Sequence, residues 1–549
     1  MKNVAVLRGA MESLRSFGAV FANPGLRRLQ LAGIGSTLGI WAYGVGLAVF
    51  AYDAGGARAV GILYALRWGS AALLAPWLSL LADRRSRRQV MLAVDLTRVG
   101  LLAAMAALAW TGASAFVVYG IAVLVSNVST VFQPAQGALM PSLVSTPDEL
   151  TAANAVQNSV ASIGMFAGPA LGGILLALSG PNAVFVATSA AFLWSALCIA
   201  RLPHDQAPTA VAHEGHALLA GFRTIWAHPA LRVVVGLTSA QTFVAGALEV
   251  LLVVLALRML DSGNAGVGWL NTATGIGCLL GVLAVAALAG RKRLAGDFAL
   301  GILLWGVPLI FAALWLNLAF ALVLFALIGV GNTLVDVAGM TLLQRSASED
   351  VLGRVFGVLE SMILGTLAVG ALVAPGIVDV LGPRGALVAV GAFLPVLLVL
   401  TWPAILRIDR AANVPTEPLA LFRSIPLFAP LPQTLLERLA GAAAEVRVPA
   451  LQEAVVQGAA GDRFYVIRSG RGTVEVDGVA TGSLGPGDFF GEIALLRDLP
   501  RTATVRAVEE LVLYALERDD FLAAVTGYAP SRAAADSIVA ARLPAGAAL

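Results

Sequence analysis

In the last quarter of this 549-residue chain, the segment Gly487-Asp488-Phe489-Phe490-Gly491-Glu492-Ile493-Ala494-Leu495-Leu496 precedes Pro500-Arg501-Thr502-Ala503-Thr504. Arg501 supplies a guanidinium, and Gly491 opens a stretch that reads as a short helix. A phosphate with one negative charge needs such a guanidinium together with the oriented N–H groups of a helix start. Thr502 adds a hydroxyl beside Arg501. A second group of chemically capable residues lies in apolar surroundings: Arg67, Asp95, Arg98, Glu249, Asp336 and Glu360 fall inside or near long apolar runs. A charge at the centre of a bilayer costs about 2.5–3.5 kcal/mol even on the lenient insertion scale, so each is kept for a partner, a cavity or a function. Asp95 and Arg98 share one helix face and can pair with each other. Glu249 has Gln241 two turns before it, and Asp336 has Asn332 one turn before it. Both carboxylates are candidates for carrying a coupling proton or cation, because a carboxylate in a low-dielectric cavity can load and release a proton near neutral pH. Arg67 is a candidate partner for a substrate anion or a carboxylate.

The elements that position these residues follow from composition. The chain is 58% hydrophobic and 13% charged, against about 45–50% and about 25% for a soluble domain. Its mean hydropathy is +0.85. The excess sits in residues 30–406, where a ruler of about twenty apolar residues per span gives about twelve candidate helices, one of them 114–138. They fall into two groups of about six. The expected organisation is an N-terminal segment 1–28, a six-helix half 29–200, a central linker 201–229, a second six-helix half 230–406, a linker 407–420 and a soluble domain 421–545. In that last domain, Ser424–Ala444 reads as a helical lead-in. Short alternating segments with glycine turns from Glu445 to Leu516 argue for an antiparallel β-roll. Asp519–Leu543 reads as one or two helices broken near Gly527 and Pro530.

Charge gives the orientation. Asp83-Arg84-Arg85-Ser86-Arg87-Arg88, Arg291-Lys292-Arg293, and Arg345 with Arg354 alternate with sparsely charged connections such as Thr111–Ala113. The positive-inside rule puts the basic set, both termini and the soluble domain in the cytoplasm. No cleavable signal peptide is evident in Met1–Arg28. The net charge of +3 is read as topogenic, with no nucleic-acid partner. Cys198 and Cys278 read as packing residues, and His204, His213, His216 and His228 as residues of a solvated linker, so no metal site is expected. No Gly-x-x-x-x-Gly-Lys-Ser/Thr loop and no catalytic constellation occurs, so neither an ATP-driven pump nor an enzyme is expected.

Residues 25–406 resemble the major facilitator superfamily, in particular its bacterial exporter branches. The connection Ser79-Leu80-Leu81-Ala82-Asp83-Arg84-Arg85-Ser86-Arg87-Arg88 is similar to the family's Gly-x-x-x-Asp-Arg-x-Gly-Arg-Arg signature, with serine in place of both glycines. The resemblance implies a charged latch at Asp83, Arg84, Arg87 and Arg88 that gates the conversion between access states. Gly164-Met165-Phe166-Ala167-Gly168-Pro169-Ala170-Leu171-Gly172-Gly173 is similar to a motif of antiporting exporters, and its small residues suit a close, moving helix interface. Trp41, Trp68, Phe132 and Trp269 either contribute to an aromatic, amphiphile-tolerant cavity or pack against helices and lipid.

Residues 421–543 resemble the cyclic-nucleotide-binding domain. Gly458-Ala459-Ala460-Gly461-Asp462-Arg463-Phe464-Tyr465-Val466-Ile467-Arg468-Ser469-Gly470 matches that family's Gly-x-x-Gly-Asp-x-x-Tyr-x-Ile-x-x-Gly stretch. By resemblance Arg501 binds the cyclic phosphate, Glu492 accepts from the ribose 2′-hydroxyl and Gly491 lets the sugar approach. Ala494 and Leu495 continue the short helix, Thr502 brings a hydroxyl within reach of a phosphate oxygen or a guanine amino group, and Ile493 and Ala503 complete the cassette. The expected regulatory ligand is cAMP, with cGMP as the alternative that Thr502 leaves open; no cofactor is expected. The C-terminal helix that caps the base in this family is short and Ala-rich here, and no lid contact is assigned from sequence.

The combined expectation is a multi-pass secondary transporter of the bacterial inner membrane, embedded in the lipid bilayer. It would export a small or amphiphilic molecule by proton coupling under the control of cyclic nucleotide. Substrate identity and oligomeric state are not specified by these motifs. Two alternatives stand beside it: a membrane-tethered nucleotide sensor that does not transport, and a transporter whose nucleotide domain is a ligand-free scaffold.

Overall fold

A computed structural model of the protein describes residues 18, 20–82, 85–112, 114–144, 146–203, 222–223, 225–288, 294–346, 349–411 and 416–542. The chain forms two compact units, Met1–Asp409 and Arg410–Leu549.

The first unit is helical: α1 Pro24–Ala82, α2 Arg87–Trp110, α3 Ala115–Ser129, α4 Phe132–Leu139, α5 Pro147–Ala200, α6 Pro229–Val254, α7 Gly263–Leu288, α8 Leu294–Leu314, α9 Leu318–Ser346 and α10 Glu349–Ala411. Among the described residues, nine helical stretches are long and apolar enough to cross a membrane, α3 and α4 together counting as one. Three of them, α1, α5 and α10, are broken at glycines: Gly55 and Gly56, Gly180 and Gly382. At Gly180 and Gly382 the chain leaves one helix in a left-handed conformation and enters the next through Pro181 or Pro383. This is the asymmetry expected of glycine at helix ends and proline at helix starts.

The apolar run 114–138, expected as one helix, corresponds to one membrane-crossing stretch, Ala115–Leu143, but its helix is interrupted between α3 and α4. Pro134 has no N–H for the Thr130 carbonyl and its ring crowds that turn, so the helix breaks between Ser129 and Phe132.

The small residues of 164–173 lie at close helix crossings. A Cβ at Gly164 would stand 2.2 Å from Thr37 Cγ2, and one at Gly168 2.5 Å from Trp41 Cβ. Between the two halves, a Cβ on Gly268 of α7 would fall 2.4 Å from Gly173 Cα.

The second unit begins with α11 Thr416–Ser424 and α12 Gln433–Ala442. The helical lead-in therefore starts earlier than expected, and Pro426, Pro430 and Pro432 divide it, since proline removes donors and fixes φ. Then follow β1 Ala444–Val448, β2 Glu453–Val455, β3 Arg463–Ser469, β4 Gly472–Val476, β5 Val479–Leu484, β6 Phe489–Phe490, α13 Glu492–Arg497, β7 Thr504–Ala507 and β8 Leu511–Glu517, with α14 Arg518–Thr526 and α15 Ala529–Arg542 closing the unit. Two four-stranded antiparallel sheets, in the orders β1-β8-β3-β6 and β2-β7-β4-β5, make the roll.

Alternation along β3 sends Tyr465 and Ile467 into a core shared with Phe490, Leu511 and Leu513. Phe464 and Val466 face the helices, where Phe422, Phe428, Phe489 and Phe521 complete a second core. The rings there form a chain: Phe422 to Phe428 at 5.4 Å, Phe428 to Phe464 at 5.5 Å and Phe464 to Phe489 at 5.7 Å. α11 is also held by charge. Arg468 Nε donates to Glu417 Oε1 at 2.6 Å and Arg468 Nη1 to Glu445 Oε2 at 2.9 Å, while the Tyr514 hydroxyl reaches Glu417 Oε2 at 3.3 Å.

Candidate functional site

The candidate site in the second unit is built around one glycine. Gly491 has φ +94° and joins β6 to α13; a left-handed residue there lets the chain turn directly into the helix. The first N–H groups of α13, beginning at Glu492 and Ile493, have no acceptor within their own helix. The Arg501 backbone is fixed by two bonds to the 458–459 turn, Gly458 N–H to Arg501 O and Arg501 N–H to Ala459 O, both 2.8 Å. Its side chain, 4% exposed, lies 5.8 Å from the Tyr465 ring centroid. Nη1 donates to Gly491 O at 3.2 Å; Nη2 donates to Arg463 O at 2.8 Å and Asp462 Oδ1 at 3.1 Å. A guanidinium has five N–H donors, so donors remain on Nε and Nη1 for an anion. Ala494 is buried, Ile493 and Ala503 are half-buried, and Thr502 is exposed.

Glu492, 1% exposed, has a partner the sequence did not indicate. Arg542 Nη1 donates to Glu492 Oε1 at 2.7 Å and to Phe489 O at 3.0 Å. Its guanidinium lies 4.4 Å from the Phe489 ring centroid. Arg542 was missed because an arginine at the end of an Ala-rich helix carries no spacing signal.

In the membrane unit, Arg67 and Glu249 line one cavity of about 230 Å3 together with Trp41, Tyr64, Gln133 and Asn271. Arg67 comes from the second part of α1 and Glu249 from α6, so both halves contribute a charge. Arg67 Nε donates to Ser126 Oγ at 2.6 Å, and its guanidinium is caged by the rings of Tyr43, Tyr64 and Trp68 at 5.5, 5.0 and 5.6 Å. Glu249 lies beside the Tyr64 hydroxyl and within electrostatic reach of Arg67.

The other charged candidates lie elsewhere. Asp95 and Arg98, 0% and 3% exposed, form an ion pair at 3.0 Å inside the first half. Arg98 also reaches Ser36 Oγ and Ser129 Oγ, each at 3.0 Å, and packs on Phe132 and Phe192. Asp336 accepts from Asn332 at 2.9 Å, and Gln241 reaches Asn332 at 3.4 Å; neither carboxamide nor Asp336 lines the cavity. Trp41 and Trp68 do line it, whereas Trp269 does not. Asp83 and Arg84 lie outside the described residues. Arg88 binds the end of α5, donating to Ile199 O at 3.2 Å and Ala200 O at 2.7 Å, as suits a cation at a helix C-terminus; Arg87 is half-buried at the start of α2. Ser86 accepts from Gln89 N–H and caps α2 with φ −62°, a conformation that needs no glycine.

Residues 445–528 match the cyclic nucleotide-binding domain, and residues 16–426 match the family described as transmembrane secretion effector, a branch of the major facilitator superfamily. The cAMP-dependent protein kinase regulatory subunit of Yarrowia lipolytica is 35% identical over 113 residues, 20% of this chain and 30% of that protein. The chain thus spans less than a third of such regulatory subunits. The multidrug efflux pump Tap of Mycolicibacterium fortuitum is 28% identical over 330 residues, 58% of this chain and 79% of that protein. The regulatory domain of the Toxoplasma gondii PKA, solved with cAMP, is 33% identical over 20% of this chain and 43% of that one, with a TM-score of 0.19. With three-quarters of its length matched in this way, the chain belongs to the transmembrane secretion effector family and is a multi-pass membrane protein that carries a C-terminal cyclic nucleotide-binding domain.

Proposed function

We propose that the protein is a proton-coupled secondary exporter of the bacterial inner membrane whose transport cycle is biased by cAMP, with cGMP as the alternative ligand. The observation that carries the transport part is the meeting of Arg67 and Glu249 across one cavity, each from a different half. In this reading Glu249 takes the coupling proton and Arg67 is its counter-charge. Neutralising Glu249 releases Arg67 into its cage of rings, and the balance between the halves changes. The glycine crossing at Gly173 and Gly268 is where the halves slide. Counting α1, α5 and α10 as two spans each gives about twelve spans, the number inferred from the bilayer ruler. An even count with the basic connections inside supports a cytoplasmic nucleotide domain.

Asp95 with Arg98 serves as an internal brace of the first half, and Asp336 as a secondary polar site. The Asp83, Arg84, Arg87 and Arg88 motif gates the cytoplasmic side. For regulation, Arg501 takes the cyclic phosphate and Glu492 the ribose, with Gly491, Ile493, Ala494, Thr502 and Ala503 framing them. A nucleotide can shift the access equilibrium only by its differential affinity for the two states; a hundredfold preference supplies about 2.7 kcal/mol. The transport part is tested by flux of fluorescent amphiphiles of either charge in proteoliposomes under a pH gradient. Gradient-driven flux that Glu249→Gln abolishes supports the reading, and flux that ignores the gradient removes proton coupling.

A further inference from the structure

We propose that Arg542, on a helix beyond the stretch matched to the cyclic nucleotide-binding domain, is a positioning residue of the nucleotide site that holds Glu492 for the ribose 2′-hydroxyl. The proposal rests on the nucleotide reading given above.

Glu492 is 1% exposed, and a carboxylate so buried needs a cation or several donors to hold one ionised geometry. Among the described residues the cation is Arg542, at 2.7 Å from Oε1. This contact engages only one carboxylate oxygen. The other makes no hydrogen bond among the described residues and has lone pairs for an incoming hydroxyl. The guanidinium is itself held at three points: the carboxylate, the Phe489 carbonyl and the face of the Phe489 ring. Phe489 immediately precedes the Phe490-Gly491-Glu492 turn, so Arg542 grips the same backbone that presents the carboxylate. A second tie, Arg497 to Asp536 at 3.5 Å, fastens α15 to the other end of α13. The last helix is thereby anchored on the ribose-binding carboxylate, and ribose recognition and the seating of α15 depend on one side chain. The matched domain ends at residue 528, before α15 begins.

The experiment is calorimetric titration of the full-length protein in detergent with cAMP and with 2′-deoxy-cAMP. It compares wild type, Arg542→Ala, Arg542→Lys and Glu492→Gln. A hydrogen bond to a charged group makes wild type prefer cAMP over the deoxy ligand by roughly tenfold to a hundredfold. Arg542→Ala reduces that preference to within about threefold while leaving 2′-deoxy-cAMP binding within about twofold of wild type. Glu492→Gln, which keeps the shape of the side chain, gives the same loss of preference, and Arg542→Lys lies between because it keeps a charge but loses the planar fork. Equal weakening of both ligands in Arg542→Ala would make Arg542 a structural clip only. Tighter cAMP binding in that variant would make it a plug that competes with nucleotide. Either result overturns the proposal while leaving the nucleotide reading intact, and so does a wild type indifferent to the 2′-hydroxyl. A folded wild type that binds neither ligand overturns that reading and this assignment with it.

Discussion

A Cβ on residue 491 would stand 2.4 Å from Arg501 Nη1 and 3.0 Å from Arg463 O. Gly491 and Arg501 are therefore fitted to each other: the guanidinium occupies the space a side chain would take, and the backbone at 491 has a φ of +94° that other residues adopt at a cost. Gly491→Ala meets both obstacles at once. Left-handed strain of about 1–3 kcal/mol lowers the stability of the domain, and the displacement of Arg501 weakens nucleotide binding, by roughly tenfold or more if one charge-assisted hydrogen bond is lost. Titration of the variant with cAMP checks this, and an unchanged affinity would mean that the guanidinium does not need its present position.

The crossing of Gly173 and Gly268 is one of two close approaches between the halves along the 164–173 motif, the other being Gly275 against Met165. Gly268→Ala forces that crossing apart and costs about 1–3 kcal/mol, as overpacking does. Gly100→Ala, where nothing lies within 4 Å, stays within about 0.5 kcal/mol. Thermal unfolding in detergent compares the two, and proteoliposome flux shows whether the crossing must also slide.

Arg98→Leu leaves Asp95 as an unpaired carboxylate at 0% exposure. Breaking one side of a buried pair costs about 3–5 kcal/mol, whereas replacing both partners is often close to neutral. Asp95→Asn combined with Arg98→Leu is accordingly more stable than Arg98→Leu alone. If the double variant also exports normally, the pair is a brace; if its flux is lost while its melting temperature recovers, the pair takes part in coupling.

Glu445 lies at the surface, yet a hydrogen bond from Arg447, with Arg468 behind it, holds its carboxyl below the usual glutamate range. Because the folded value is depressed, the contribution is present above the ordinary value of about 4.3 and is lost as pH falls through the folded one. Glu445→Gln therefore flattens the loss of thermal stability between about pH 5 and about pH 3. Arg468→Gln flattens it only in part, because the Arg447 bond to Glu445 remains.

Much of the candidate nucleotide site was legible because the residues that propose it sit in one short segment. Gly491, Glu492 and Arg501 announce themselves by type and spacing, and the glycines of 458–470 announce the turns. Arg542 did not, because its role exists only once α15 folds back to Glu492. Arg67 and Glu249 were each visible as charges in apolar sequence, but their meeting depends on how two halves pack, which no local period encodes. The break after Ser129 was encoded by Pro134 but hidden by a hydropathy ruler that counts apolar residues and ignores missing donors. The serines that replace the loop glycines read as a loss of turn freedom, whereas Ser86 acts as a helix cap.

The central claim, that a cyclic nucleotide controls export, is tested most directly by flux in proteoliposomes with and without cAMP on the side of the nucleotide domain. Wild type is compared with Arg501→Ala. The account predicts a severalfold change of rate with nucleotide in the wild type and none in Arg501→Ala, whose basal rate is unchanged. Equal rates in the wild type with and without either nucleotide, on protein that exports and binds cAMP, would contradict it.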